Sequence, residues 1–216
     1  MMQQCSLLSL ATAVPPLVVE QAEAKARARE AFGGKKALFD RLAGVFDNAG
    51  IARRHIVAPQ DWYMSGHGWH DRNQVYLEAA EQLFIDAATA AIEKAGLTPS
   101  DIDGVVTVST TGIATPSLEA RVATRLGLRS DVRRVPVFGL GCAGGVNGLS
   151  IASRLAAADP GSMWLFVTIE TCSISIRLDS DDPAAVVATA ALKEQRRARL
   201  WGIFFKLLLI GASLLV

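Results

Sequence analysis

A chain of 216 residues, half of them hydrophobic and a fifth charged, has the composition of a globular protein with a substantial core. The net charge of +1 hides an asymmetry: residues 1–190 hold 17 Lys/Arg against 20 Asp/Glu, a balance of −3, while 191–216 hold five basic residues and Glu194, a balance of +4. A mildly acidic body gives no ground for nucleic-acid binding. Three cysteines (Cys5, Cys142 and Cys172) with no CxxC pair suggest neither a disulfide framework nor a zinc site, and fit a reducing, cytoplasmic setting.

In chain order, Ser6 to Ala13 reads as a first strand ended by Pro15-Pro16. The apolar start lacks the basic stretch of a secretory signal. Glu20 to Ala31 reads as a surface helix closed by Gly33-Gly34, and Leu38, Leu42, Val45 and Phe46 as the stripe of a second helix ending at Gly50. Residues 51–75 show no clear period and read as a loop-rich excursion. Tyr76 to Ala95 is the strongest helix, with Leu77, Ala80, Phe84, Ala87, Ala91 and Ala95 on one stripe and Gly96 as its C-cap. Gly104 to Ser109 (GVVTVS) is a β-branched strand, Ser117 to Leu126 a helix ending at Gly127, and Val135 to Phe138 a strand. Gly144 to Ala158 is a helix stopped by Asp159-Pro160-Gly161. Met163 to Ile169 is a continuous apolar run, the pattern of a central strand covered on both faces. Strands alternating with helices imply crossovers and a largely parallel sheet, hence an α/β class.

Cys142 stands where a strand gives way, through Gly139-Leu140-Gly141, to a helix. Glycines permit a sharp turn and close approach of a ligand to the backbone. Peptide dipoles and unpaired N–H groups at a helix start favour negative charge, and the thiolate is the nucleophilic form of cysteine. The same N–H groups suit a developing oxyanion on a thioester carbonyl. The small residues Ala143, Gly144, Gly145, Gly148 and Ser150 would let this helix sit deep against a neighbour. A buried filler cysteine is the competing reading. The strand–glycine–helix junction favours the nucleophile.

These residues carry a resemblance. GLGCAGGVNGL, preceded by VPVF, resembles the active-site signature of the type III polyketide synthases, the chalcone and stilbene synthase family. ATAVPP is similar to the family's first strand, STTGIATPSLEARV (109–122) to its pocket-lining loop, and FVTIETCSISIRL (166–178) to the strand and loop after the nucleophile helix. The match covers about residues 6–190. It implies the N-terminal half of a thiolase-like fold, with a mixed, largely parallel sheet and helices on both faces, and a homodimer. Cys142 would take an acyl group from a coenzyme A thioester for condensation with the carbanion of decarboxylating malonyl-CoA. No cofactor or metal is implied beyond the coenzyme A thioesters that serve as substrates. Thr110, Thr111 and Thr115 fall at pocket positions of the family, as do Glu170, Cys172 and Ser175. Arg53 and Arg54 fall near its basic residues for the CoA phosphates.

The sequence also departs from the family. Its partner histidine and asparagine match no position here; His55, His67 and His70 lie upstream, and the HxxH of His67 and His70 has no third ligand. After VVATA the chain runs into ALKEQRR and a 17-residue apolar run interrupted by Lys206, short of the ~20 residues that span a bilayer. Residues 1–190 therefore read as the family-like domain and 191–216 as an atypical basic-then-apolar tail. Truncation is the favoured explanation, leaving a fragment with exposed apolar faces and little activity alone. Alternatives are a membrane-associated interaction protein and a ketoacyl synthase III-type enzyme, which would prefer acyl carrier protein over free CoA thioesters. If the tail seeks membrane, residues 1–216 partition into a detergent phase and a 1–190 version does not; equal partitioning of the two removes that reading.

Overall fold

The computed structural model describes residues 5–31, 39–41 and 43–176. In chain order its elements are β1 (Leu17–Glu20), α1 (Gln21–Ala31), α2 (Gly44–Asn48), β2 (Arg53–Ile56), α3 (Gln60–Tyr63), α4 (Trp69–Lys94), β3 (Gly104–Ser109), α5 (Leu118–Leu126), β4 (Arg133–Phe138), α6 (Gly144–Ala158) and β5 (Trp164–Thr168). Short 3-10 turns occupy Pro99–Asp101, Gly141–Ala143 and Cys172–Ser175. The described residues belong to two compact units. One is drawn from Met1–Leu17, His55–Ala58 and His67–Ile174, the other from Val18–Arg54, Pro59–Gly66 and the chain from Ser175 onward.

In the first unit β3 is buried at every position and lies in the middle of a three-stranded sheet of order β4-β3-β5. Both pairings are parallel. Gly104 to Ser109 face Arg133 to Phe138, and Gly104 to Val108 face Trp164 to Thr168. Successive strand residues point to opposite faces, and the two ends of one peptide in β3 show which helix covers which face. Val108 meets α6, and Ser109 bonds Tyr76 of α4. Helix α5 lies alongside α4, where Glu81 accepts from Arg121 at 2.6 Å. Its C-terminus closes at Gly127, in the left-handed region at φ +78°.

The fit of α6 to the sheet depends on absent side chains. A Cβ on Gly144 would stand 2.5 Å from Val108 Cγ1, and one on Gly148 would stand 2.5 Å from both Val108 Cγ2 and Phe166 Cε2. Gly144, Gly148 and Ala152 recur every fourth residue and form the buried face, so the helix backbone rests directly on β3 and β5. Gly145, one position round the helix, meets nothing within 4 Å.

Strands β1 and β2 pair as a separate two-stranded sheet. Phe39 and Phe46, with ring centroids 6.2 Å apart, form a small core on which Ala24, Ala28 and Ala43 pack. Lys25 reaches from α1 to Asp47 of α2 at 2.7 Å.

Several expectations change. Ser6 to Ala13 is not a strand. Ser6 to Leu8 are all exposed and alternation begins only at Ser9, with Leu10 and Thr12 outward, yet the segment pairs with no strand among the described residues. A strand requires a ladder partner, and this segment instead attaches to α4, through Ser9 Oγ donating to Ala91 O (2.7 Å) and Lys94 Nζ to Leu10 O (3.2 Å). Strand β1 occupies Leu17–Glu20, which carried no strand assignment. The excursion at 51–75 contains β2, α3 and the first turns of α4, which starts at Trp69. The buried face of α4 is Tyr76, Ala80, Phe84, Ala88 and Ile92. In an Ala-rich helix, adjacent small residues give periodicity nothing to choose between, and the bulky Tyr76 and Ile92 set the face. Strand β5 is at the edge of the described sheet, and β3 is central. The Gly33-Gly34 stop, Leu38 and Leu42, and the 191–216 tail lie outside the described residues. Among the described residues no helix is long and apolar enough to cross a membrane.

The helix–sheet contact yields a paired prediction. Gly148→Ala lowers the unfolding free energy by about 1–3 kcal/mol, because the methyl meets two packed side chains. Gly145→Ala is neutral or gains up to about 1 kcal/mol from helix propensity. Denaturant midpoints of the two variants check this.

Candidate active site

Three parallel strands end at one edge of the sheet, and each delivers a loop there: Thr110-Thr111 after β3, residues 139–143 after β4, and residues 169–172 after β5. In open α/β sheets the carboxyl ends of the strands are where binding residues gather.

Cys142 is the middle residue of the 3-10 turn that leads into α6, and it is exposed. Gly139 (φ +82°) and Gly141 (φ +53°) both occupy the left-handed region that side chains rarely tolerate. Together they turn the chain from β4 to α6 within a few residues. The turn is closed by Ala143 N–H donating to Leu140 O at 3.2 Å and by Gly144 N–H donating to Gly141 O. From the neighbouring loop, Thr110 Oγ1 accepts the Gly141 N–H at 3.1 Å. One turn into α6, Asn147 Nδ2 donates to Ala143 O at 2.8 Å.

The Thr110-Thr111 loop is held from its other side by Glu170. Its two carboxylate oxygens accept the Thr110 N–H (2.9 Å) and the Thr111 N–H (3.0 Å), and the Thr111 hydroxyl donates to it as well. Bonds to an ionised acceptor are stronger than neutral ones. Thr111 Oγ1 in turn accepts the Thr171 N–H at 3.2 Å, so the loops after β3 and β5 are tied twice. Cys172 is an exposed residue whose thiol is partly buried. That burial, followed by the nearby Glu170 carboxylate, pushes the thiol up from its ordinary value. A hydrogen bond with Thr111 opposes the shift, and the proximity of Cys142 adds to it.

Of the residues singled out from sequence, the structure brings Cys142, Thr110, Thr111, Glu170 and Cys172 into one connected set within the first unit. Thr115 is exposed, further along the same loop. Ser175, exposed at the end of the last 3-10 turn, falls in the second unit, as do Arg53 and Arg54. Arg53 is exposed. Arg54 is half-buried: its Nε donates to Gln21 Oε1 at 2.8 Å, its guanidinium lies 5.8 Å from the Phe46 ring centroid, and burial lowers its pKa. His67 and Asp71 approach to 3.9 Å, and no group of three metal-ligating side chains occurs among the described residues. Sequence reading missed Ser109 and the buried Tyr76 bonded to it at 2.7 Å. The signal was present: Tyr76 continues the every-fourth-residue series of Ala80 and Phe84, with a polar tip.

The sequence matches the family model for chalcone and stilbene synthases, N-terminal domain, over residues 2–198. It is 38% identical over 168 residues to the 1,3,6,8-tetrahydroxynaphthalene synthase of Streptomyces peucetius subsp. caesius, covering 72% of this chain and 44% of that protein. It is 32% identical over 193 residues to a putative chalcone synthase of Bacillus subtilis (strain 168), covering 85% and 52%. The structure resembles that of the 1,3,6,8-tetrahydroxynaphthalene synthase of Streptomyces coelicolor A3(2), with a TM-score of 0.78 at 28% identity, covering 84% of this chain and 53% of the other. It is similar also to the C-terminal type III polyketide synthase domain of a type I/III hybrid from Dictyostelium, with a TM-score of 0.78 at 27% identity, covering 87% and 53%. The chain spans about half the length of the curated relatives it matches.

The Glu170 cradle yields a prediction with a defined sign. Because the carboxylate contributes to holding the Cys172 thiol up, Glu170→Gln moves the pH at which Cys172 is alkylated downward. Mass-spectrometric labelling of the Cys172 peptide across pH checks this; an upward shift would contradict it.

Proposed function

Because the chain belongs to the chalcone and stilbene synthase family, as the N-terminal domain of its thiolase-like fold, we propose that Cys142 is the acyl-accepting nucleophile of a type III polyketide synthase reaction. The observation that carries this reading is the exposed Cys142 at a glycine-flanked turn directly before a 15-residue helix, at the carboxyl edge of a parallel sheet. The thiolate sulfur attacks the carbonyl carbon of an acyl-CoA. The peptide dipoles at the start of the helix favour the negative charge that develops on the oxyanion. The tetrahedral intermediate then expels the coenzyme A thiolate, which takes up a proton, and the acyl group stays on sulfur as a thioester.

Thr110, Thr111, Glu170 and Cys172 form the wall beside that thioester, with Thr115 further along the loop; Ser175, at the end of the last 3-10 turn, is a further substrate-binding candidate. Arg53 and Arg54 are the candidates for the CoA phosphates; the exposed Arg53 is the freer of the two, since Arg54 is engaged by Gln21. Malonyl-CoA is the proposed extender, a second copy of the chain the proposed partner, and no resident cofactor is required. The family's histidine and asparagine match no position in these 216 residues, so the proposed activity of residues 1–216 alone is acyl loading, with malonyl-CoA decarboxylation near background.

Incubating the chain with short and aromatic acyl-CoAs, followed by peptide mass spectrometry, should find one acyl group on Cys142 and none in Cys142→Ala. Acylation confined to Cys5 or Cys172 would overturn the assignment. Release of a triketide pyrone by the purified chain would overturn the restriction to acyl loading.

A further inference from the structure

Tyr76 has no place in the wall described above, yet it touches the Thr110-Thr111 loop at both ends. It is 1% exposed. Its hydroxyl lies 2.7 Å from Oγ of Ser109, the last residue of β3 and itself buried. Its ring packs against the backbone of Gly112 so closely that a Cβ there would stand 2.3 Å from ring carbons. Between Ser109 and Gly112 lie only Thr110 and Thr111. Thr110 carries the oxygen that accepts the N–H of Gly141, the residue immediately before Cys142. Burial raises the pKa of the phenol, so the hydroxyl keeps its proton and the bond to Ser109 persists through the working pH range.

Resting on the reading of Cys142 as the nucleophile, we propose that Tyr76 is a positioning residue for Cys142, acting through Ser109 and Thr110. The ring and hydroxyl clamp two points of the loop, and a clamped loop holds Thr110 Oγ1 in place. Thr110 Oγ1 then fixes the Gly141 peptide, which bends at positive φ and has no side chain of its own to fix it. The sulfur is thereby held in one presentation relative to the start of α6. A residue that served the core alone would affect stability without being coupled to Thr110.

The test is the rate at which iodoacetamide alkylates Cys142 in the 1–216 chain, read by peptide mass spectrometry with exposed Cys5 as the internal reference. Tyr76→Phe removes one hydroxyl and keeps the ring; Ser109→Ala breaks the same bond from the other side. Each slows Cys142 alkylation about fivefold against Cys5, the factor for one hydrogen bond. Thr110→Val slows it at least as much, and Thr110→Ser restores the wild-type rate. The Tyr76→Phe/Thr110→Val double variant is no slower than Thr110→Val alone, because both changes act on one chain of contacts. Circular dichroism melts identify the folded variants, and Ser109→Ala decides if Tyr76→Phe does not fold. Wild-type rates in the folded single variants, or losses that multiply in the double variant, overturn the proposal. Iodoacetamide needs no CoA site, so a chain that no acyl-CoA loads but whose alkylation follows this pattern counts against the proposed function and leaves the positioning role standing.

Discussion

The site exists because a helix backbone can lie on the sheet with nothing between. Gly144 and Gly148 leave room for Val108 and Phe166 where any side chain would collide, and protein interiors have no slack to absorb such a collision. The close approach brings the first turn of α6 down to the strand ends. Without it, Cys142 would stand at a helix start as before, but lifted away from the loops after β3 and β5. The two positive-φ glycines before the helix serve the same end, since the chain must turn from β4 into α6 within Gly139 to Ala143.

Glu170 then orders the neighbouring loop. A carboxylate accepting two consecutive peptide N–H groups and a hydroxyl is a small anion site built from the protein's own side chain. Together with Tyr76 it holds Thr110 and Thr111, and Thr110 holds the N–H of Gly141. Cys172, close to the same carboxylate, is held toward its thiol form by burial and then by that charge. The two cysteines of the site therefore sit in different settings: one at an exposed helix start, the other beside a negative charge.

Helix α6 is apolar on more than one side. Gly144, Gly148 and Ala152 are buried against the sheet, while Val146 and Leu149 are exposed, as are Phe138 and Leu140 in the approach to the turn. Within the residues described, the sheet accounts for one of these faces.

The local grammar of this chain was legible without coordinates. GVVTVS is strand β3 at its expected limits, Gly144 to Ala158 is α6 at its expected limits, and β4 ends at Phe138 as its sequence suggests, which with α6 places Cys142 between glycines at a strand-to-helix junction. β-branched runs, helix-compatible small residues and glycine stops act over a few residues, so the order of residues suffices. Tertiary structure decided what depends on partners. Ser6 to Ala13 has an apolar, strand-like start but no ladder. The apolar run of β5 marks an edge of the described sheet although its composition suits a centre. The buried face of α4 is set by Tyr76 and Ile92. Above all, the bonds from Thr110 and Thr111 to Gly141 and Glu170 join residues about 30 and 60 positions apart. No periodicity encodes such pairs; they arise because parallel strands bring their carboxyl ends to one edge.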